Sequence, residues 1–391
     1  MERPRSNCFQ NEPIWAGTTA VAGPVEVRLM WRKGVNAWSA GGLLLGLVVL
    51  VAGCGGGGGG GGQKIALLLP ENHTPRYESS DRPDFEAKVK ELCSDCKILY
   101  SNANQDAAKQ QNQAEAALTQ GAKVMVVDAV DAGSAGAIVT KAKAQNVPVV
   151  SYDRLITNSD VDYYVSFDNE RVGKLQGQSL ITGLKAQGHG TGPVVLLAGD
   201  PADNNAKLFK QGAITALNTG GVKIAKKYDT PGWLADKAQN EMQQAITALG
   251  NNGFEGVLAS NDDLGGAAIA AMKDAGIKPA TRPTTGQDAT VAGLQRILTG
   301  EQYMTVYKPI HPEANAAAQI AVALAKGDSV PSGLVNQQID NGKKKVPSVI
   351  LVPLATIKTN VNNVIKNGDA KASDVCKGSF ASACKAAGIQ Q

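Results

Sequence analysis

The sequence predicts an α/β fold of two Rossmann-like lobes, on three observations. From Lys64 onward, short apolar runs rich in β-branched residues alternate with longer helical stretches. The runs are continuously apolar, as in KIALLL (64–69) and KVMVV (123–127), which marks parallel strands covered on both faces. The strand–helix series also runs twice, once before Phe167 and once after it.

In the first series, strands are expected at 64–69, 97–100, 123–127 and 147–150. A helix over 84–92 separates the first two. A second helix over 106–119 has Asn104 near its start as a candidate cap, and Gly121 ends it. The second series opens with a helix over 170–184. Strands at 194–197, 222–225, 256–259 and 284–286 then alternate with helices over 202–217, 234–249 and 264–275. A last strand at 303–307 leads to a helix over 312–326. No Gly-x-Gly-x-x-Gly follows the first strand and no Walker-type loop occurs, so nucleotide chemistry has no sequence support.

At 391 residues, with 43% hydrophobic and 19% charged, the chain has globular composition and room for two or three domains. The net charge of +4 falls to +2 without residues 1–53, far from the basic footprint of a nucleic-acid binder. His73, His189 and His311 lie far apart without zinc-type spacing, so no metal or other cofactor is expected.

Residues 30–53 read as an export signal. Trp31-Arg32-Lys33 supplies positive charge, and the apolar stretch 41–53 is too short for a spanning helix, which needs about 20 residues. It ends in Val51-Ala52-Gly53-Cys54, which resembles the bacterial lipobox and makes Cys54 the expected lipid acceptor. Residues 1–29 place Glu2, Glu12 and Glu26 ahead of the basic stretch and are expected to be an upstream extension, with translation starting at Met30. The glycines at 55–62 precede the first strand, so residues 54–63 read as a tether and not a phosphate loop.

Among the remaining cysteines, Cys93-Ser94-Asp95-Cys96 invites a redox reading. That chemistry belongs at a helix start, where the dipole lowers the thiol pKa, whereas this motif follows a helix. Structural bridges Cys93–Cys96 and Cys376–Cys384 are the expectation, and the redox reading stays open beside it.

Ligands of open α/β sheets bind at the carboxyl ends of the strands. There the sequence repeatedly places Asp, Asn, Arg, Gln and Lys: Arg76 and Tyr77, Asp153 and Arg154, Asp203 to Asn205, Asn261, Gln287 and Asp288, and Lys308. Such groups bind vicinal hydroxyls, since a carboxylate accepts from two adjacent hydroxyls and a guanidinium fork donates. Tyr77 and Trp233 offer flat faces for the C–H side of a pyranose. Taken singly, each polar residue reads as readily as a helix cap, with Asn204 and Asp263 the candidates and Asp168-Asn169 opening its own helix. Recurrence at the exits of both lobes favours a binding cavity.

Several strings carry a family resemblance: Ser151-Tyr152-Asp153-Arg154, Ser166-Phe167-Asp168-Asn169, DNNAKLF (203–209), Gly232-Trp233-Leu234, Ala259-Ser260-Asn261-Asp262, Gly286-Gln287-Asp288 and MTVYKPI (304–310). They resemble the ribose/galactose-type periplasmic sugar-binding family, its D-xylose-binding members above all, over about residues 64–357. The resemblance implies a type I periplasmic binding protein fold with three hinge crossovers, near Asp168, Lys308-Pro309 and Val346-Pro347. Lobe 1 would then comprise 64–168 plus 309–346, and lobe 2 would comprise 169–308 plus 347–391. By the same resemblance Asp153 and Arg154 hold the sugar from the first lobe beside Arg76 and Tyr77. Asn205, Asn261, Asp288 and Lys308 complete the polar cage, and Trp233 stacks on the ring. Departures lie in the loop 71–83, where Tyr77 stands in place of the usual tryptophan, and in the tail after about Asn367.

The function this implies is delivery of a monosaccharide to ABC permease subunits by a monomeric lipoprotein held outside the membrane through Cys54. An enzyme using Asp153, Asp288 and Lys308 would need a nucleophile–base–orienter set, which the strings do not supply. A transcriptional regulator would need a helix-turn-helix ahead of Lys64. A nucleoside- or autoinducer-binding lipoprotein of the same fold differs only in pocket contents and stands as the alternative.

Overall fold

A computed structural model describes residues 62–390. The export signal, Cys54 and the extension 1–29 lie outside the described residues. In chain order the strands are β1 (Lys64–Leu69), β2 (Lys97–Asn102), β3 (Val124–Val127), β4 (Val149–Tyr152), β5 (Tyr163–Phe167), β6 (Val194–Ala198), β7 (Ile224–Asp229), β8 (Gly256–Ala259), β9 (Met304–Tyr307), β10 (Gln337–Asp340), β11 (Lys345–Leu351) and β12 (Leu354–Ile357). The helices are α1 (Arg82–Leu92), α2 (Ala107–Thr119), α3 (Gly136–Lys143), α4 (Asn169–Ala186), α5 (Asn204–Thr219), α6 (Ala235–Leu249), α7 (Asp262–Asp274), α8 (Val291–Thr299), α9 (Ile310–Lys326), α10 (Asn362–Lys366), α11 (Ala372–Val375) and α12 (Ala381–Ala386).

The first lobe is a sheet of order β10-β11-β5-β4-β3-β1-β2, parallel except for β10. Its strands are apolar throughout because both faces are covered. In β1, Ile65, Leu67 and Leu69 join the core beneath α1 and α9, while Ala66 and Leu68 join the opposite core beneath α2 and α3. The second lobe has β7-β6-β8 and the antiparallel pair β12-β9. The segment between β8 and α8 links them by single bridges, Val257 to Thr284 and Gln287 to Val306. Residues 284–286 therefore form no regular strand. Together these features give the type I periplasmic binding protein fold.

The chain leaves the first sheet at Asp168, returns at Lys308-Pro309 and leaves again at Val352-Pro353. The expected third crossover at Val346-Pro347 is corrected, because β11 stays paired with β5 through Leu351. Pro347 lies opposite Gln338 of β10, just before the pairing with β5 begins at Ser348. Residues 347–351 thus belong to the first lobe.

Caps differ from expectation as well. Asp106, not Asn104, accepts from Lys109 N to open α2. Asp203 and Asn261, not Asn204 and Asp263, cap α5 and α7.

Helices α4 and α5 approach unusually closely. A Cβ on Gly173 would lie 1.9 Å from the Phe209 carbonyl oxygen, and one on Gly212 would lie 2.0 Å from that of Glu170. This approach brings the first turns of both helices together, and Asn169 Nδ2 donates to Asn205 Oδ1 at 2.9 Å. The tail packs α10 to α12 against α8 in a cluster with Leu294, Ile297 and Tyr307.

Candidate functional site: a polar cavity between the lobes

Arg76, Tyr77, Asp153, Arg154, Asn205, Trp233, Asn261, Asp288 and Lys308 converge from seven segments on one cavity. Thr74, Asp203, Phe209 and Gln287 complete its lining. Each polar group sits just past a strand or crossover. Asp153, Trp233 and Asp288 have φ of 50°, 56° and 89°, in the left-handed region that costs non-glycine residues about 1–3 kcal/mol.

Asp153 is the hub of the first-lobe wall. Its carbonyl accepts from Ser166 Oγ at 2.6 Å, Asn205 Nδ2 at 3.0 Å and Tyr164 OH at 3.1 Å, which pins the strained backbone. Its carboxylate accepts from Tyr77 OH at 3.2 Å and Arg76 Nη1 at 3.4 Å, and lies 3.9 Å from Lys308 Nζ. Burial alone would raise the Asp153 pKa, but Arg76, Lys308 and Arg154, with the Tyr77 hydroxyl, lower it below the ordinary value.

Behind this hub stands a buried network. Arg76 grips Asp81 with both Nε (2.9 Å) and Nη2 (2.6 Å), and Nη2 also reaches Glu313 at 2.8 Å. Arg154 Nε lies 3.2 Å from Asp203 and 3.5 Å from Asp128, and its Nη2 donates to Tyr77 OH at 3.2 Å. Carboxylates outnumber the three cations here. Burial pushes Glu313 and Asp128 well above the usual carboxylate range, with Asp153 adding to both.

The second-lobe wall is sparser. Asn261 Oδ1 is spent on Leu264 N at 2.9 Å as the α7 cap, which leaves Nδ2 as its side-chain donor. Asp203 likewise caps α5 and accepts from Trp233 Nε1 at 3.2 Å, so these Asx residues are caps and cavity walls at once. The Trp233 ring fills the space over Gly199, where a Cβ would fall 2.0 Å from it, and meets Phe209 edge-on at 6.4 Å. Asp288 Oδ1 lies 3.2 Å from Lys308 Nζ. Lys308 Nζ also sits over the rings of Phe167 at 5.6 Å and Phe209 at 5.8 Å, so the crossover lysine faces both lobes.

Tyr77 lines the cavity and is tied into the first-lobe network through its hydroxyl. Its hydroxyl bridges Arg154 and Asp153, and the guanidinium carbons of Arg76 and Arg154 lie 5.3 and 5.7 Å from its ring centroid. Asp128 and Glu71 stand just past β3 and β1, where the strand-exit pattern could have found them, whereas Asp81 and Glu313 lie in helical segments that it does not mark. Glu313 lies in the first turn of a helix, and only the fold brings it to Arg76.

Both cysteine pairs are bonded, Cys93–Cys96 and Cys376–Cys384, with Cα separations of 5.3 and 5.7 Å. Cys93 follows the last turn of α1 rather than opening a helix. Among the described residues, the cluster with metal-like spacing is Cys93, Asp95 and Cys96, whose sulfurs are joined to each other. No helix among those residues is long and apolar enough to cross a membrane.

The chain is similar to known proteins. The chain is 38% identical over 310 residues to a D-xylose-binding periplasmic protein of Haemophilus influenzae, covering 78% of this chain and 90% of the relative. It is 37% identical over 317 residues to the D-xylose-binding periplasmic protein of Escherichia coli, covering 80% and 92%. A solved ABC transporter solute-binding protein of Clostridium phytofermentans with bound β-D-glucose superposes with a TM-score of 0.72 at 28% identity, covering 80% of this chain and 100% of that one. Residues 65–329 match the periplasmic binding protein domain, and the chain belongs to that family.

Proposed function

We propose that the cavity binds a single aldose, D-xylose or a close relative, and that the loaded protein delivers it to the permease of an ABC importer. Relatives that cover most of this chain are named for D-xylose binding, and a solved neighbour carries β-D-glucose. The protein is a binder and not an enzyme, in keeping with its family.

One observation carries the reading. Gln287 Oε1 is buried in the cavity lining without a hydrogen-bond partner among the described residues, and Asp288 Oδ1 and Arg154 Nε have there only ion-pair contacts, to Lys308 and to Asp203 and Asp128. A buried polar atom left without any partner costs about 1–3 kcal/mol. A monosaccharide supplies hydroxyls to all three and reaches both lobes at once, which gives it the preference for the closed state that closure requires. Calorimetry with D-xylose, D-glucose, L-arabinose, D-ribose and D-galactose tests this, with the tightest binding expected for D-xylose. If well-folded protein binds none of them while a nucleoside or autoinducer binds, the assignment fails.

The chain is further proposed to act as a monomer outside the cytoplasmic membrane, tethered by lipid on Cys54. The lipobox directly after the apolar run supports the tether. Two or more acyl chains anchor firmly where one does not, so Cys54→Ser is expected to release the protein in a fractionation assay. Retention of the variant after a high-salt wash would contradict the anchor.

A further inference from the structure

Outside the cavity, the two lobes also touch each other directly. Gln105 follows β2 of the first lobe, and its Nε2 donates to Asp200 Oδ2 of the second at 2.7 Å. The Asp200 carboxylate also accepts from Gly232 N and Ala202 N, both at 2.9 Å, so it gathers the turns after β6 and β7. Ala202 in turn offers its carbonyl to Ala132 N of the first lobe at 3.1 Å, a second bridge between the lobes. Neither Gln105 nor Asp200 lines the cavity.

The backbone that aims Gln105 is strained. Asn104 and Gln105 have φ of 52° and 63°, in the left-handed region that non-glycine residues adopt at a cost. A bond from Gln105 N to the Pro70 carbonyl at 2.8 Å holds that turn in place. The side-chain oxygen of Gln105 is buried without a hydrogen-bond partner among the described residues. Water would satisfy that oxygen once the lobes part, so this arrangement belongs to the closed state.

The strand orders put the contact at the lip of the cleft. In the first sheet β2 is the edge farthest from β5 and β11, which lead into two of the crossovers. In the second lobe β7 is the edge away from β9, which leads into the other. Hinge opening moves atoms in proportion to their distance from the hinge, so lip contacts separate most.

We infer that Gln105 and Asp200 form a latch that holds the lobes closed and slows ligand release without touching the ligand. This rests on the sugar-binding reading of the cavity. The test is stopped-flow measurement of D-xylose association and release in wild-type and Gln105→Ala protein. A hydrogen bond to a charged acceptor is strong enough that release is expected to quicken about tenfold. Association should stay within about twofold, because the ligand enters before the latch forms. Gln105→Glu, which sets a second carboxylate against Asp200, should quicken release further, and it carries the test if Gln105→Ala does not fold. Release within about twofold of wild type, or a loss of affinity carried by slower association, overturns the latch alone. Wild-type protein that binds no D-xylose would sink the sugar reading and the latch with it.

Discussion

The two walls of the cavity are built on opposite principles. The first-lobe wall is a dense ionic network: Arg76 has Asp81 and Glu313, and Asp153 has Arg76, Tyr77 and Asn205, while both Asp128 oxygens and Glu313 Oε1 stay without hydrogen bonds among the described residues. The second-lobe wall brings fewer charges, spends its Asx oxygens on helix caps and leaves Asp288 Oδ1 and Gln287 Oε1 without hydrogen bonds. A preformed half costs little to order when a ligand arrives. The difference separates the two walls by consequence, since damage to the first should cost folding and damage to the second should cost binding.

The largest effect is expected from Arg76→Ala. It strands Asp81 and Glu313 in side-chain surroundings only 1% and 0% exposed. Breaking a buried ion pair from one side costs about 3–5 kcal/mol. Because burial already favours a proton on Glu313, the loss should fall toward the lower end of that range. Urea denaturation measures it, and calorimetry should show sugar binding lost as well. A stability change near zero would mean that the first-lobe wall is not a preformed scaffold.

Asp288→Ala sharpens the contrast from the other side. Its carboxylate faces Lys308 alone among cations within ion-pair distance in the described residues. Removing it leaves Lys308 with the more distant Asp153 at 3.9 Å. Truncating one member of a buried charged contact costs binding about 2–5 kcal/mol, roughly 30- to 5,000-fold. The expected outcome is that loss in sugar affinity with an unfolding midpoint close to wild type. A destabilisation as large as that of Arg76→Ala would erase the distinction between the walls.

Much of this geometry was legible in the sequence because parallel strands and their exits have a simple grammar. Continuous apolar runs gave the central strands, and the residue types at their ends placed Asp153, Asn205, Asn261, Asp288 and Lys308 around one cavity. The illegible parts depend on contacts distant in sequence. Strand β5 was hidden by its short, polar-flanked YYVSF, and β11 by Pro347. Glu313 meets Arg76 only once α9 packs on the first lobe, although Asp81 lies just five residues from Arg76. The choice between cap and cavity wall for Asp203 and Asn261 had no single answer, because one side chain is both.

The smallest expected effect, and the one that separates the walls without removing a bulky group, is on pH dependence. Asp262 and Asp263 stand at the start of α7 in the second lobe. Burial raises their pKa values from 3.8 to about 6 and about 7, with Asp288 adding to both and Arg296 opposing. A carboxyl raised in the fold keeps its proton over a window where the unfolded chain has lost it, so stability falls as pH rises through that window. The contribution of this pair is fully present below about pH 4 and is lost as pH climbs through 6 and 7. Asp153 in the first lobe has the opposite sign. Its lowered pKa contributes stability above the ordinary value of 3.8, and that contribution is lost on acidification below it. Unfolding midpoints measured between pH 4 and 7 should therefore decline toward neutrality, and Asp263→Asn, which cannot ionise, should flatten the upper part of that decline. The same variant should leave the acid limb governed by Asp153 unchanged. A slope between pH 6 and 7 as steep in Asp263→Asn as in wild type would mean that this carboxyl is ionised in the fold and that the second-lobe wall carries more charge than its geometry allows.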